Sequence, residues 1–161
     1  MIDWDRRFVD LASHVSLWSK DPSTQVGAVI VRPDRTIASL GFNGFPRGVD
    51  DSPHLYSDRN TKYDRVIHAE MNALLFLKEP GQGMTMYCWP GTPCIRCAAH
   101  VIQAGIRRVV SVPCDNPRWV ESIKLGKNLF KEAGIEVTEM APLSQEEPSR
   151  LRSPVLFSGR D

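Results

Sequence analysis

No apolar stretch in the sequence is long enough to cross a membrane. The longest runs, Gly27-Ala28-Val29-Ile30-Val31 and Ala73-Leu74-Leu75-Phe76-Leu77, fall far short of a span. Excess charge of one sign is also lacking: 20 Lys+Arg against 19 Asp+Glu leave a net +1. That balance argues against a surface that grips polynucleotide phosphates along its length, though it leaves room for a small phosphate pocket. Cysteine is absent until Cys88, and the four present are Cys88, Cys94, Cys97 and Cys114. No charged-then-apolar leader with a small-residue cleavage site opens the chain, so a soluble, cytoplasmic protein is expected. In that setting Cys94-x-x-Cys97 points to metal or redox chemistry before a disulfide frame. No internal repeat is present. What remains is 161 residues, 42% hydrophobic and 24% charged, which suits one globular domain with a real core.

Trp4, Phe8, Leu11, Ala12 and Val15 recur at helical spacing, and Lys20-Asp21-Pro22 ends that helix. Gln25 to Val31 and Thr36 to Leu40 predict a hairpin around Pro33-Asp34. The stretch from Phe45 to Tyr63 lacks periodicity and is expected to be a long loop. A helix is predicted from His68 to Lys78, a strand from Met84 to Cys88, and a helix from Cys94 to Ala104 capped by Gly105. A strand over Ile106 to Val112, a helix from about Trp119 to Ala133 closed by Gly134, and a strand over Ile135 to Glu139 complete the order. A hairpin followed by alternating helices and strands predicts an α/β, three-layer α/β/α fold with a mixed five-stranded sheet flanked by helices. The domain is placed at 1–140, with 141–161 as a C-terminal tail rich in Pro, Ser and Glu.

Three elements carry the chemistry: His68-Ala69-Glu70, Pro93-Cys94-Ile95-Arg96-Cys97 and the Gly41-Phe42-Asn43-Gly44 turn. Cys94 and Cys97, three apart in a first helical turn, present both sulfurs on one face, where the helix dipole favours thiolate. With the imidazole of His68 they fill three corners of a Zn²⁺ tetrahedron and leave the fourth for water. Glu70 lies beside that ion without binding it. It is the expected proton shuttle between the water, a ring nitrogen and a departing amine. His-x-Glu followed by Pro-Cys-x-x-Cys is the signature of zinc nucleobase deaminases. The interval from Glu70 to Cys94 holds one helix, a turn and one strand, as the element order requires.

On these residues the sequence resembles the deoxycytidylate (dCMP) deaminase family, within the cytidine deaminase superfamily. The matching segments are Lys20 to Gly27, Gly41 to Gly44, Thr61-Lys62-Tyr63, His68 to Ala73, Pro93 to Ala98 and Gln103 to Ile106. The resemblance implies zinc-dependent hydrolysis of dCMP to dUMP and ammonia, which supplies a thymidylate precursor. It implies His68, Cys94 and Cys97 as zinc ligands and Glu70 as the catalytic acid–base. Asn43, as the sugar ligand, and Phe42, Ala69, Trp89 and Thr92 are then expected at the substrate. It further implies a homo-oligomer, a hexamer in many members, activated by dCTP and inhibited by dTTP. Lys20, Ser23, Thr24, Gly41 and Gly44 are the expected effector contacts, with Mg²⁺ accompanying the triphosphate. Between Met86-Tyr87 and Pro93-Cys94 this chain carries one residue more than is usual in the family, beside the expected cytosine ring, which leaves a 5-substituted dCMP open as an alternative substrate. The long loop offers His54 but no cysteine, so no second zinc is expected.

Other readings stay open on sequence. Cys88, His100 or Cys114 could complete a purely structural zinc cage, and dCTP or a polynucleotide could replace dCMP. A thioredoxin-like Cys94/Cys97 pair ignores Glu70. Cys88 reads as a core residue, and Asn72 as a hydrogen-bonding brace for the nearby loop. Arg47, Arg59, Lys62 and Arg65 are either a solvated face or phosphate readers. Arg107-Arg108 are expected to complement a helix C-terminus.

Overall fold

A computed structural model describes residues 3–142. Eleven elements follow one another: α1 (Trp4–Ser16), β1 (Gly27–Val31), β2 (Ile37–Phe42), α2 (Pro53–Ser57), α3 (Arg59–Arg65), α4 (Ala69–Phe76), β3 (Thr85–Trp89), α5 (Ile95–Gln103), β4 (Arg108–Ser111), α6 (Pro117–Glu132) and β5 (Glu136–Glu139). The strands form one sheet in the order β2-β1-β3-β4-β5. β1 pairs antiparallel with β2 and β3, while β3, β4 and β5 run parallel. The three-layer mixed sheet expected from the element order is therefore present.

Alternation along the strands divides the core in two. Ala28, Ile30, Met86, Cys88 and Val109 face Ala69 and Ala73 of α4, Ala98 and Val101 of α5 and Phe130 of α6. Val29, Val31, Tyr87, Val110 and Val112 face Phe8, Val9, Ala12 and Val15 of α1. The α1 helix starts where the Asp3 side chain accepts the Arg6 N–H at 3.0 Å. Gly105 and Gly134 terminate α5 and α6 with φ of 85° and 70°, the left-handed conformation that glycine adopts without penalty.

Three expectations need correction. The segment expected to be a long loop folds as α2 and α3, started by Ser52-Pro53 and by Asp58, whose side chain accepts the Asn60 N–H. Helices of five and seven residues are too short to show periodicity. Gly41 and Phe42 are not in a turn but end β2; the backbone of α4 crosses so closely that a Cβ on Gly41 would lie 2.4 Å from the Ala73 nitrogen. Arg108 does not serve a helix C-terminus. It lies in β4 and donates to both carboxylate oxygens of Asp5 at 2.8 Å, and to Glu136. Of the expected tail, all but Ala141 and Pro142 lies outside the described residues.

Candidate active site

One end of the sheet gathers the chemistry. In the antiparallel registers Gly27 faces both Phe42 and Trp89, so the start of β1 and the ends of β2 and β3 share an edge. The parallel pairing of β3 with β4 brings the end of β4 to the same edge. Ligands in open α/β sheets settle outside the carboxyl ends of parallel strands. A cavity of about 340 Å³ lies there.

Two helix starts meet in it. His68 and Cys94 are the N-caps of α4 and α5, both with extended backbone (φ −68°, ψ 154° and φ −64°, ψ 167°). Cys94 thus precedes the helix, and only Cys97 lies within its first turn. His68 Nδ1 is 3.5 Å from Cys94 Sγ and 3.3 Å from Cys97 Sγ, and the ligand atoms of all three residues lie within 4.8 Å of one another. Zn–S bonds of ≈ 2.3 Å and a Zn–N bond of ≈ 2.0 Å at tetrahedral angles require S···N edges of about 3.5 Å, so the donor set and spacing fit zinc. Hydrogen bonds from Cys97 and His68 pull the Cys94 thiol down to about 4. The Cys94 thiolate and burial push Cys97 up. Hydrogen bonding to Cys94 raises His68. No fourth protein ligand joins the cluster among the described residues. Cys88 is fully buried in the core, and His100 Nδ1 is 2.7 Å from the Arg96 carbonyl oxygen.

Glu70, in the first turn of α4, lines the cavity yet is 6% exposed. Burial raises its pKa, against the opposing pull of His68. A carboxyl poised above its ordinary range can hold a proton and return it, which suits a general acid–base.

The expected substrate residues divide. Asn43, Ala69 and Thr92 line the cavity; Phe42 and Trp89 do not, and pack with the α1 layer. Phe42 meets Trp18 edge-on. Asn43 Oδ1 accepts the Val26 N–H at 2.8 Å, and its amide nitrogen donates to the Thr24 carbonyl at 2.8 Å. Thr92 Oγ1 lies 2.9 Å from Ser111 Oγ. The expected effector residues divide as well. Ser23 and Thr24 line the same cavity as His68 and Cys94, whereas Lys20 is exposed and pairs with Asp51 at 2.6 Å. Gly41 packs on α4, and Gly44 exchanges backbone hydrogen bonds with Ile67. Asn72 donates to the Phe42 carbonyl at 2.7 Å, the bracing role expected of it.

Two groups of cavity residues escaped the sequence reading. Asp21 lies beneath Ser23 and Thr24 and binds the buried Lys62. Asn116, Arg118 and Trp119, at the start of α6, form the opposite wall, and Trp119 meets the His68 ring edge-on at 5.7 Å. Their position just after β4 is the signal that could have found them, because the loop after a parallel strand faces such a cavity.

Comparison with known proteins agrees with this geometry. Residues 2–112 match the model of the cytidine and deoxycytidylate deaminase zinc-binding region. A deaminase in the luxG 3′ region of Aliivibrio fischeri is 45% identical over 138 residues, covering 84% of this chain and 92% of that protein. The deoxycytidylate deaminase of Mus musculus is 36% identical over 147 residues, covering 88% and 82%. The crystal structure of a dCMP deaminase from the cyanophage S-TIM5 superposes with a TM-score of 0.68 at 25% identity, covering 84% of this chain and 96% of that one. His68, Glu70, Cys94 and Cys97 all lie within the matched residues, and the chain belongs to the cytidine and deoxycytidylate deaminase family.

Proposed function

We propose that this protein hydrolyses deoxycytidine monophosphate to deoxyuridine monophosphate and ammonia. The carrying observation is a cavity lined by His68, Cys94 and Glu70, with Cys97 Sγ 3.3 Å from His68 Nδ1, and by Ser23, Thr24 and Asn43. A zinc ion at the triad supplies Lewis acidity that makes water nucleophilic at neutral pH. Glu70 handles the protons: it takes one as water oxygen bonds to C4, delivers it to N3, and passes a second to the exocyclic nitrogen as the C4–N bond breaks. Asn43 has both amide N–H groups engaged, so what it can still offer the sugar is a free lone pair on Oδ1, an acceptor for a hydroxyl. Pro90 and Thr92, in the segment after β3 that carries the extra residue, line the cavity and support room for a C5 substituent.

Steady-state ammonia release from dCMP, its 5-methyl and 5-hydroxymethyl derivatives, dCTP, deoxycytidine and single-stranded DNA tests the reading. A cytosine deoxynucleoside monophosphate is expected to have the highest kcat/KM. Higher kcat/KM on deoxycytidine, dCTP or single-stranded DNA overturns it.

The proposal extends to a cytoplasmic homo-oligomer, a hexamer, with dCTP and Mg²⁺ activating and dTTP inhibiting. Its support is the apolar surface at Trp18, Leu75 and Phe76 beside the edge strand β2. Sedimentation shows the assembly, and a dCMP rate curve that is sigmoidal alone and hyperbolic with dCTP shows the regulation.

A further inference from the structure

The triad draws on two helix starts: His68 caps α4, while Cys94 and Cys97 begin α5. Helix α6 touches both. Against the cysteine side it is locked at backbone distance. An ideal Cβ on Gly126 would stand 2.6 Å from the Pro93 carbonyl oxygen and 3.3 Å from the Cys94 carbonyl carbon, and Ser122 Oγ accepts the Ile95 N–H at 3.3 Å. Toward the histidine it sends the Trp119 side chain. The indole lies 5.7 Å from the His68 ring at 87°, within the range of edge-to-face ring pairs. Trp119 is itself held in place. Its N–H donates to the Asn116 carbonyl oxygen at 2.9 Å in the turn that starts α6. The Arg118 guanidinium carbon lies 5.2 Å from the indole centroid and 3.8 Å from that of Tyr63 on α3.

The His68 ring depends on such a neighbour. Nδ1 is the nitrogen that meets both sulfurs, at 3.5 and 3.3 Å, and among the described residues no acceptor meets Nε2. A metal-binding histidine is ordinarily oriented by a hydrogen bond from its second ring nitrogen. The metal takes a lone pair in the plane of the ring, so rotation about the Cβ–Cγ bond carries that lone pair off the ion. Here the group set against the ring is an indole.

We propose that Trp119 is a positioning residue for the metal: its ring fixes the His68 imidazole in the orientation that completes the zinc triad, the task a hydrogen-bond acceptor performs in other histidine sites. This rests on the zinc reading above. Helix α6 thereby sets one ligand against the other two, through Trp119 on one side and through Ser122 and Gly126 on the other.

The test measures metal binding directly on the full chain, without reference to turnover. Wild type, Trp119→Phe and Trp119→Leu are compared by chelator competition for zinc. After exchange of zinc for Co²⁺, the visible absorption of each protein reports the coordination geometry. Trp119 is half-buried at the cavity wall, so neither substitution empties the core. Trp119→Leu is expected to bind zinc about 10–100-fold more weakly, the usual loss when a group that orients a ligand is removed, and to shift the cobalt bands. Trp119→Phe keeps a ring beside the imidazole and should retain most of the affinity and the wild-type bands. A Trp119→Leu protein with wild-type affinity and bands overturns the positioning role, and so does an equal loss in Trp119→Phe. A wild-type chain that binds no zinc overturns the metal reading itself, and the role of Trp119 with it.

Discussion

Lys62 Nζ lies 2.7 Å from Asp21 Oδ2, and the two side chains are 9% and 1% exposed. The pair joins α3 to the segment between α1 and β1. Asp21 Oδ1 also accepts the Ser23 and Thr24 N–H groups at 2.9 and 3.2 Å and the Ser23 hydroxyl at 3.0 Å. One carboxylate therefore shapes the wall that carries Ser23 and Thr24 into the cavity. Burying two charges is costly, and the cost is offset here because nearly every lone pair and proton of the pair is used.

Removing one partner should leave the other as an uncompensated buried charge. Lys62→Met is expected to destabilise the fold by about 3–5 kcal/mol, the range for a broken buried pair. Asp21→Asn should act in the same direction. The double variant should lose less than the two single losses added together, because neither charge is left alone. Denaturant unfolding of all four proteins measures the coupling, and simple additivity would show that the pair contributes no interaction of its own.

The same carboxylate makes stability depend on pH. Burial pushes the Asp21 carboxyl up, but Lys62, the Ser23 N–H and the Ser23 hydroxyl hold it below the ordinary range. Asp5 is lowered too, chiefly by its hydrogen bonds from Arg108. A carboxylate with a depressed folded pKa contributes fully above the unfolded value of about 3.9, and that contribution is lost as pH falls through the folded value. The thermal midpoint should therefore drop as pH is lowered from about 5 to about 3, and Asp21→Asn should flatten this slope. Calorimetry across that window checks it, and parallel slopes in the two proteins would count against Asp21.

Glu70 and Cys97 should separate chemistry from metal binding. Glu70→Gln keeps the size of a side chain that is no metal ligand in this reading. It should retain one zinc per chain while kcat falls by at least about 10²–10⁴-fold, the usual contribution of a general acid–base group. Cys97→Ala removes a sulfur of the triad and should lose zinc and activity together. Metal analysis beside turnover distinguishes the two. A Glu70→Gln enzyme with near-normal kcat would remove Glu70 from the proton path.

Much of this was legible because it depends on local chemistry. The clustering of His68, Cys94 and Cys97 with Glu70 near them follows from residue type and spacing within two helix starts, and the layer order follows from periodicity. Other features depend on registers the linear pattern does not print. Asp21 and Lys62 meet only because α3 forms inside a segment with no visible period. Arg118 and Trp119 reach the cavity only because β3 and β4 are parallel and end at one edge. The family resemblance implies Phe42 at the substrate, but its side chain lies on the α1 side because β2 continues through it.

Gly41 offers a test of how the fold positions the metal ligand. It lies near the end of β2, where an ideal Cβ would stand 2.4 Å from the Ala73 nitrogen, 2.5 Å from the Ala69 carbonyl oxygen and 2.9 Å from the Asn72 carbonyl carbon. All three are backbone atoms of α4, so no rotamer change can relieve the clash. The helix would have to move off the sheet. Because His68 caps α4 and Glu70 sits in its first turn, that movement displaces the proposed zinc ligand and the proposed proton carrier together. Gly41→Ala should therefore destabilise the protein by about 1–3 kcal/mol, as overpacking does, and also weaken zinc retention. Gly48 supplies the contrast: no atom lies within 4 Å of a Cβ there, so Gly48→Ala carries only the strain of its φ of 82° and meets no backbone atom of α4. Chelator competition on both variants reads the difference. Faster zinc loss in Gly41→Ala than in Gly48→Ala is the expected outcome, and equal rates would mean that α4 keeps its ligands in place without close contact to β2.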